Sequence, residues 1–284
     1  MDNSTICIIG ARGQLGKALQ SKYPEAICAD IQELDITDRS SVVSFDWSKV
    51  KIILNAAAYT DVDKAETAEG RVAAWKVNAV ATANLVEVAL KNDASLVHIS
   101  SDYVFDGTHD SHTEDEPLSP LSVYGQSKAA GDVVVSLVPK HYLIRTSWVI
   151  GDGDNFVRTM LNLAQKGVEP TVVADQVGRL TFTNELVRAI DYLFNNQAPF
   201  GTYNITNGGD TVSWADVTRE IFKNANYDLA VTDTTTAEYY AGKEFVAPRP
   251  LNSTLSLNKI QSIGFEPVDW RIDLAKYIEK ELRI

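Results

Sequence analysis

The stretch Ile6-Cys7-Ile8-Ile9-Gly10-Ala11-Arg12-Gly13-Gln14-Leu15-Gly16 decides the fold. Four apolar residues, three of them isoleucine, predict a buried strand; the spaced glycines predict a tight turn, and the residues from Gln14 onward a helix. Gly10 lets the chain reverse. Gly13 leaves room for a pyrophosphate to reach backbone N–H groups at the helix N-terminus, where the dipole favours anions. Gly16 lets helix and sheet pack closely. The spacing is G-x-x-G-x-x-G rather than G-x-G-x-x-G, so the strand before and the helix after carry as much of the reading as the glycines.

Working outward, short apolar runs at 6–9, 26–29, 51–55, 95–100 and 142–146 alternate with helical patterns at 14–22, 40–45, 72–91 and 123–137. That alternation predicts successive βαβ units and an α/β fold, a doubly wound, Rossmann-like parallel sheet whose strands are buried on both faces. Beyond Trp148 the pattern loosens, with polar clusters at 151–155 and 207–210 and two prolines, Pro248 and Pro250, in a mixed segment. Residues 1–148 are therefore expected to form the dinucleotide-binding domain, and 149–284 mainly a smaller, interleaved C-terminal substrate-binding region. A helical pattern at 184–194 and a strand-like 202–205 suggest that about 181–212 returns to the first domain.

Composition narrows the function classes. Among 284 residues, 26 basic and 38 acidic side chains leave a charge of −12, which opposes nucleic acid or an anionic membrane as partner. No run approaches the roughly 20 apolar residues of a membrane span, and Met1–Thr5 has no basic n-region, so a cytoplasmic location is expected. Cys7 and Cys28 both sit in apolar runs and read as small core residues. His98, His109, His112 and His141 lack zinc-ligand spacing, and no metal ligands are assigned.

Twenty residues after Gly10, Asp30 ends the second strand, where a carboxylate can accept from an adenosine ribose and repel a 2′-phosphate. It also reads as a solvated turn residue. Arg12, inside the glycine turn, can offset a phosphate, so the choice between NADH and NADPH stays open. Asp35 and Ile36 can border the adenine, and Asp38 reads as the cap of the next helix.

Tyr124 and Lys128 stand at i and i+4, on one helix face. A phenol is a weak acid–base at neutral pH, and a nearby ammonium stabilises its phenolate, so Tyr124 is the candidate proton donor and Lys128 its tuner. Ser101 follows the strand Val97-His98-Ile99-Ser100, at the carboxyl end where ligands of parallel sheets bind, placed to polarise a carbonyl oxygen. Asp102 either holds Ser101 or touches substrate. Asn78 reads as bonding backbone locally, and Lys64 and Glu66 as a solvated helix face.

The Gly10–Gly16 turn, Asn55-Ala56-Ala57-Ala58, Ser101 and Tyr124-x-x-x-Lys128 together resemble the extended short-chain dehydrogenase/reductase superfamily. More narrowly, Asn55-Ala56-Ala57-Ala58-Tyr59-Thr60-Asp61-Val62-Asp63-Lys64-Ala65-Glu66, Ser101-Asp102-Tyr103-Val104-Phe105-Asp106-Gly107 and Arg145-Thr146-Ser147-Trp148-Val149 resemble the dTDP-4-dehydrorhamnose reductase family. Asp175-Gln176-Val177-Gly178 and Arg249-Pro250-Leu251-Asn252-Ser253 extend the likeness over nearly the whole chain. Two departures stand out: Ser101 where the family often has Thr, and Gly178-Arg179-Leu180-Thr181 in place of Gly-x-Pro-Thr.

The resemblance implies an NAD(P)H-dependent oxidoreductase of dTDP-rhamnose biosynthesis, reducing C4 of dTDP-4-dehydro-6-deoxy-L-mannose to give dTDP-L-rhamnose. It implies Tyr124 as acid, Lys128 on the nicotinamide ribose, and Gly13, Gln14 and Leu15 at the pyrophosphate. It also places Asp30, Asp35 and Ile36 near the adenosine, Ala58, Tyr59 and Thr60 along the cofactor channel, and Ser101, Asp102 and Trp148 facing the sugar. Mg²⁺ enters only through this resemblance, and a homodimer is one assembly it allows. Trp148 also reads as a core aromatic, and Arg249 either as a clamp for the substrate diphosphate or as an exposed loop residue. Two rival readings are a nucleotide-sugar epimerase or dehydratase with retained NAD and a non-catalytic nucleotide-binding regulatory subunit.

Overall fold

The structure, a computed structural model, describes residues 2–283. Its centre is a six-stranded parallel sheet built from β1 (Ile6–Ile9), β2 (Ile27–Ala29), β3 (Ile52–Asn55), β4 (Ser95–Ser101), β5 (His141–Thr146) and a last strand, Gly201–Asn204. Their spatial order is Gly201–Asn204, β5, β4, β3, β1, β2. The order reverses between β1 and β3, which leaves a crevice beyond their carboxyl ends. Register there is set by Ile9 against Ala29 and Asn55, and by Ser101 against Thr146.

Alternation along β1 feeds two cores. Ile6 and Ile8 pack with Leu15 and Leu19 of α1 (Gln14–Lys22) and with Leu186, Ile190 and Leu193 of the helix Thr183–Asn195. Cys7 and Ile9 pack on the opposite face with Val42 of α2 (Arg39–Ser44), Leu85, and Val135 of α5 (Val123–Val135). A third core, around Leu161, Phe182, Ile221, Phe222 and Trp270, lies in the C-terminal half. The last strand of the main sheet comes from residues 201–204, pairing Asn204 with Arg145, so C-terminal sequence completes the N-terminal sheet.

Two local expectations are revised and one is met. The helix expected at 72–91 starts earlier, as α3 (Ala68–Trp75), because the Thr67 side chain accepts from Gly70 N–H and caps it. It continues through a π-helical segment, Lys76–Val80, into α4 (Ala81–Lys91). Cys28 is exposed rather than buried, because β2 is the edge strand and one of its faces is left uncovered. Asp38 does cap α2, accepting from Ser40 N–H.

Candidate active site

Beyond the sheet's carboxyl ends lie three cavities that share walls. The central one, about 570 Å³, is bounded by the glycine turn at Gly13–Leu15, by Ala58 and Thr60, by Ser101 and Asp102, and by Tyr124, Lys128 and Trp148. A second, about 390 Å³, shares Gly13, Ala56 and Ala58 with it and continues to Gly10, Asp30, Asp35 and Ile36. The third, about 420 Å³, shares Tyr103 and Trp148 with the first and is lined by Trp214, Tyr240 and Arg249.

The glycine turn is shaped to accept a phosphate. Gly10 has φ +74°, and a Cβ there would lie 2.6 Å from Ala57 N. At Gly16 a Cβ would lie 2.1 Å from the Gly10 carbonyl oxygen, so helix α1 meets the turn only because that side chain is missing. Gly13 caps α1 without a side-chain hydrogen bond, leaving first-turn N–H groups open to an anion. Asp30 accepts from Arg12 N–H and Ile31 N–H, each at 2.9 Å, while the Arg12 guanidinium pairs with Glu33 at 2.5 Å. These residues suit the pyrophosphate and adenosine of a dinucleotide.

The catalytic candidates converge on the central cavity. Ser122 caps α5 by accepting from Gly125 N–H, and the helix then presents Tyr124 and Lys128 one turn apart. Ser101 ends β4 and donates to Asp102 Oδ1 at 2.9 Å, while its oxygen accepts from Tyr103 N–H. Asp102 Oδ2 is buried and makes no hydrogen bond of regular geometry among the described residues, although the Ser253 hydroxyl lies close to the carboxyl. Burial raises the Asp102 carboxyl to about 6, against the pull of Ser253 and Ser101. Lys128, 1% exposed, donates to the Ile99 carbonyl at 2.6 Å.

Electrostatics modify one expectation. Lys128 was expected to draw the Tyr124 phenol towards neutrality, but burial dominates and raises it to about 12, with Ser101 pulling down and Asp102 and Asp132 pushing up. Tyr124 is therefore held protonated at neutral pH, as a donor must be. Burial brings Lys128 down to about 8, opposed by Asp132.

Other residues fall outside their expected places. Tyr59 does not line the cavities; it packs against the cluster of Ala65, Ala74, Val123 and Tyr124. Asn78 bonds backbone, but not locally: it clamps Tyr59 N–H (2.9 Å) and C=O (3.1 Å) and donates to Ser127 Oγ (3.0 Å). Glu66 is not merely solvated, because it accepts from Val123 N–H at 2.9 Å and so secures the start of α5. Lys64 is exposed, as expected.

Trp148 stands at φ +48° and stacks on Trp214 with centroids 3.7 Å apart, forming the wall between the central and third cavities. Arg249 is 2.7 Å from Asp63 Oδ2 and lies over the Tyr240 ring, so its guanidinium is neither free nor in the central cavity. Sequence reading missed Trp214, Tyr240 and Asp63. Only their aromatic or charged character was visible, without a spacing that tied them to distant partners. In the substituted Gly178–Thr181 segment, Arg179 binds Thr206 Oγ1 at 3.1 Å and the Leu255 carbonyl, which pins that loop. No group of three or more His, Cys, Asp or Glu side chains is placed to hold a metal among the described residues.

Residues 4–283 match the family described as RmlD substrate binding domain. A dTDP-4-dehydrorhamnose reductase of Aggregatibacter actinomycetemcomitans is 38% identical, over 94% of this chain and 95% of that protein. The crystal structure of a dTDP-4-dehydrorhamnose reductase from Clostridium acetobutylicum superposes with a TM-score of 0.89 at 38% identity, covering 98% of this chain and 99% of that one. That of the Bacillus anthracis reductase in complex with NADP gives 0.88 at 35% identity, covering 97% and 98%.

Proposed function

The chain belongs to the dTDP-4-dehydrorhamnose reductase family, and we propose from that premise that its joined cavities bind NADPH or NADH beside a dTDP-4-keto-6-deoxy sugar and reduce the sugar at C4. The substrate is dTDP-4-dehydro-6-deoxy-L-mannose and the product dTDP-L-rhamnose. The observation that carries the reading is the meeting of Ser101, Tyr124 and Lys128 in one cavity that continues into the glycine turn.

When bound, the nicotinamide supplies hydride to the C4 carbon. Gly13, Gln14 and Leu15 offer N–H groups to its pyrophosphate, and Asp30, Asp35 and Ile36 border its adenosine. Gly10 and Gly16 give that site its shape, while Ala58 and Thr60 face the channel. Because Asp30 favours a free ribose and Arg12 a phosphate, both cofactors fit this reading.

As negative charge grows on the C4 oxygen, the Ser101 hydroxyl turns from Asp102 to donate to it, and the neutral Tyr124 phenol delivers its proton there. The resulting phenolate is stabilised by the Lys128 ammonium, so the interaction strengthens as the reaction proceeds. Asp102 Oδ2 accepts from a sugar hydroxyl. Trp148 covers the sugar, and Arg249, held at the third cavity by Asp63 and the Ala247 carbonyl, offers its remaining N–H groups to the diphosphate. No step is routed through Mg²⁺. Residues 149–284 serve mainly as the substrate-binding region, with about 181–212 built into the cofactor domain. A homodimer in the cytoplasm is the accompanying expectation, checked by sedimentation and cell fractionation.

Mixing purified protein with the dTDP-4-keto sugar and each reduced cofactor tests this function. Stoichiometric loss of the reduced-nicotinamide absorbance is expected. An epimerase with retained NAD would give no net change, and a regulatory subunit would give no turnover.

A further inference from the structure

Behind the proposed catalytic cavity lies a buried ionic group that the proton transfer does not use. Asp132 is one helical turn after Lys128 on α5, so the two share a helix face. Both are almost fully buried, at 2% and 1% exposure. Asp132 Oδ2 accepts from Arg145 Nε at 3.0 Å, whereas Oδ1 has no hydrogen-bond partner among the described residues. Arg145, on β5, also donates to the Glu114 carbonyl at 2.9 Å and lies over the Phe105 ring, which fixes it from three sides.

A buried ammonium needs a countercharge to stay ionised. The titratable or charged groups around Lys128 are Tyr124 and Asp132 on α5, His98 on β4, Asp102 in the turn after β4, and Arg145 behind Asp132. Burial holds His98 neutral, and its Nδ1 is occupied by Asn55 at 2.9 Å. Tyr124 is protonated, and the Asp102 carboxylate is engaged with Ser101. On the helix face that Lys128 occupies, the Asp132 carboxylate, pushed up by burial and pulled down by Arg145, is the group that raises the lysine's affinity for a proton.

We propose that Asp132, kept ionised by Arg145, is a positioning residue that holds the Lys128 ammonium charged and in place behind Tyr124. This deepens the reductase reading and rests on it for its catalytic meaning. Two opposing influences act on Lys128: burial lowers its affinity for a proton and Asp132 raises it. A structural ion pair between Asp132 and Arg145 alone would leave the Lys128 charge unaffected by loss of the carboxylate.

The test follows the Lys128 side chain by NMR in the full chain carrying ¹³C-labelled lysine, its signal assigned from a Lys128→Met spectrum. In Asp132→Asn the titration midpoint of Lys128 is expected to fall by about 1–3 pH units, the usual effect of losing an adjacent opposite charge. The alkaline limb of kcat should move the same way, and Asp132→Glu should restore both. Because Asp132→Asn strands the Arg145 charge and can fail to fold, Asp132→Asn/Arg145→Met is expected to shift the midpoint in the same direction by a smaller amount, since it removes the more distant cation as well, without an unpaired buried ion. An unchanged Lys128 midpoint in either folded variant would overturn the proposal, whatever the loss of stability. If wild-type protein consumed no reduced cofactor with the keto sugar, the reductase reading would fail while the NMR comparison still decided the role of Asp132.

Discussion

The Ser101 hydroxyl donates to Asp102 Oδ1 across 2.9 Å, and the second oxygen of that carboxylate is buried without a hydrogen bond of regular geometry among the described residues. The site thus stores an unsatisfied acceptor next to its carbonyl-polarising alcohol. Such an atom costs folding free energy until a ligand hydroxyl reaches it.

The pH dependence of that cost has a definite sign. Burial raises Asp102 to about 6 from an unfolded value near 3.9, so the native state prefers the protonated form. Its stabilising contribution is complete below pH ~4 and is lost as pH rises through ~6. Asp102→Asn should therefore raise stability by on the order of 1–3 kcal/mol at pH 7.5 and add little at pH 4. Thermal melts at the two pH values check this; an equal change at both would show that burial of the charge is not the cause.

The glycine turn separates folding from cofactor binding. A Cβ at Gly16 would lie 2.1 Å from the Gly10 carbonyl oxygen, whereas one at Gly13 meets only that oxygen at 3.3 Å. Gly16→Ala should cost about 1–3 kcal/mol or more through strain between α1 and the turn. Gly13→Ala should melt nearly as wild type yet bind reduced cofactor about tenfold more weakly, because the methyl group occupies the phosphate approach. Calorimetry and cofactor titration on both variants distinguish these outcomes.

Arg249 should act on the sugar nucleotide and not on the cofactor. Its guanidinium lines the third cavity between Asp63 and the Tyr240 ring. Arg249→Ala should raise KM for the sugar nucleotide by about 10–100-fold, in line with about 1.5–3 kcal/mol for a charge-assisted hydrogen bond. The cofactor KM should stay within about twofold, since the glycine turn lies in other cavities. A parallel rise in both constants would show that the residue supports the fold instead of the ligand.

Much of the Rossmann-like half was legible because its strands are buried on both faces and therefore almost continuously apolar, as at Ile6–Ile9 and Ile52–Asn55. The edge position of β2 was not, since Ile27-Cys28-Ala29 reads the same whether or not a neighbour covers it; hence the error at Cys28. The π-helical segment at Lys76–Val80 keeps an apolar pattern indistinguishable from an α-helix. In the C-terminal half, ladders such as Val177–Gly178 with Val212–Ser213 are too short to show a period.

In the site, local signals served well. Tyr124 and Lys128 share a helix, and Ser101 ends a strand, so each could be placed from its own segment. What depended on long-range pairing was missed. Glu66 reaches Val123, Arg249 reaches Asp63, and Trp148 finds Trp214; none of these partners is near in sequence. Even the local pair carried an electrostatic surprise, because burial raises the Tyr124 phenol and the Asp102 and Asp132 carboxylates push it the same way.

The central claim, that Tyr124 gives its proton to the C4 oxygen while Ser101 polarises it, is tested most directly by Tyr124→Phe in single-turnover reduction of the dTDP-4-keto sugar. Removing only the hydroxyl should slow reduction by about 10²–10⁴-fold while reduced cofactor binds within about twofold of wild type. Reduction at a near wild-type rate in that variant would contradict the account.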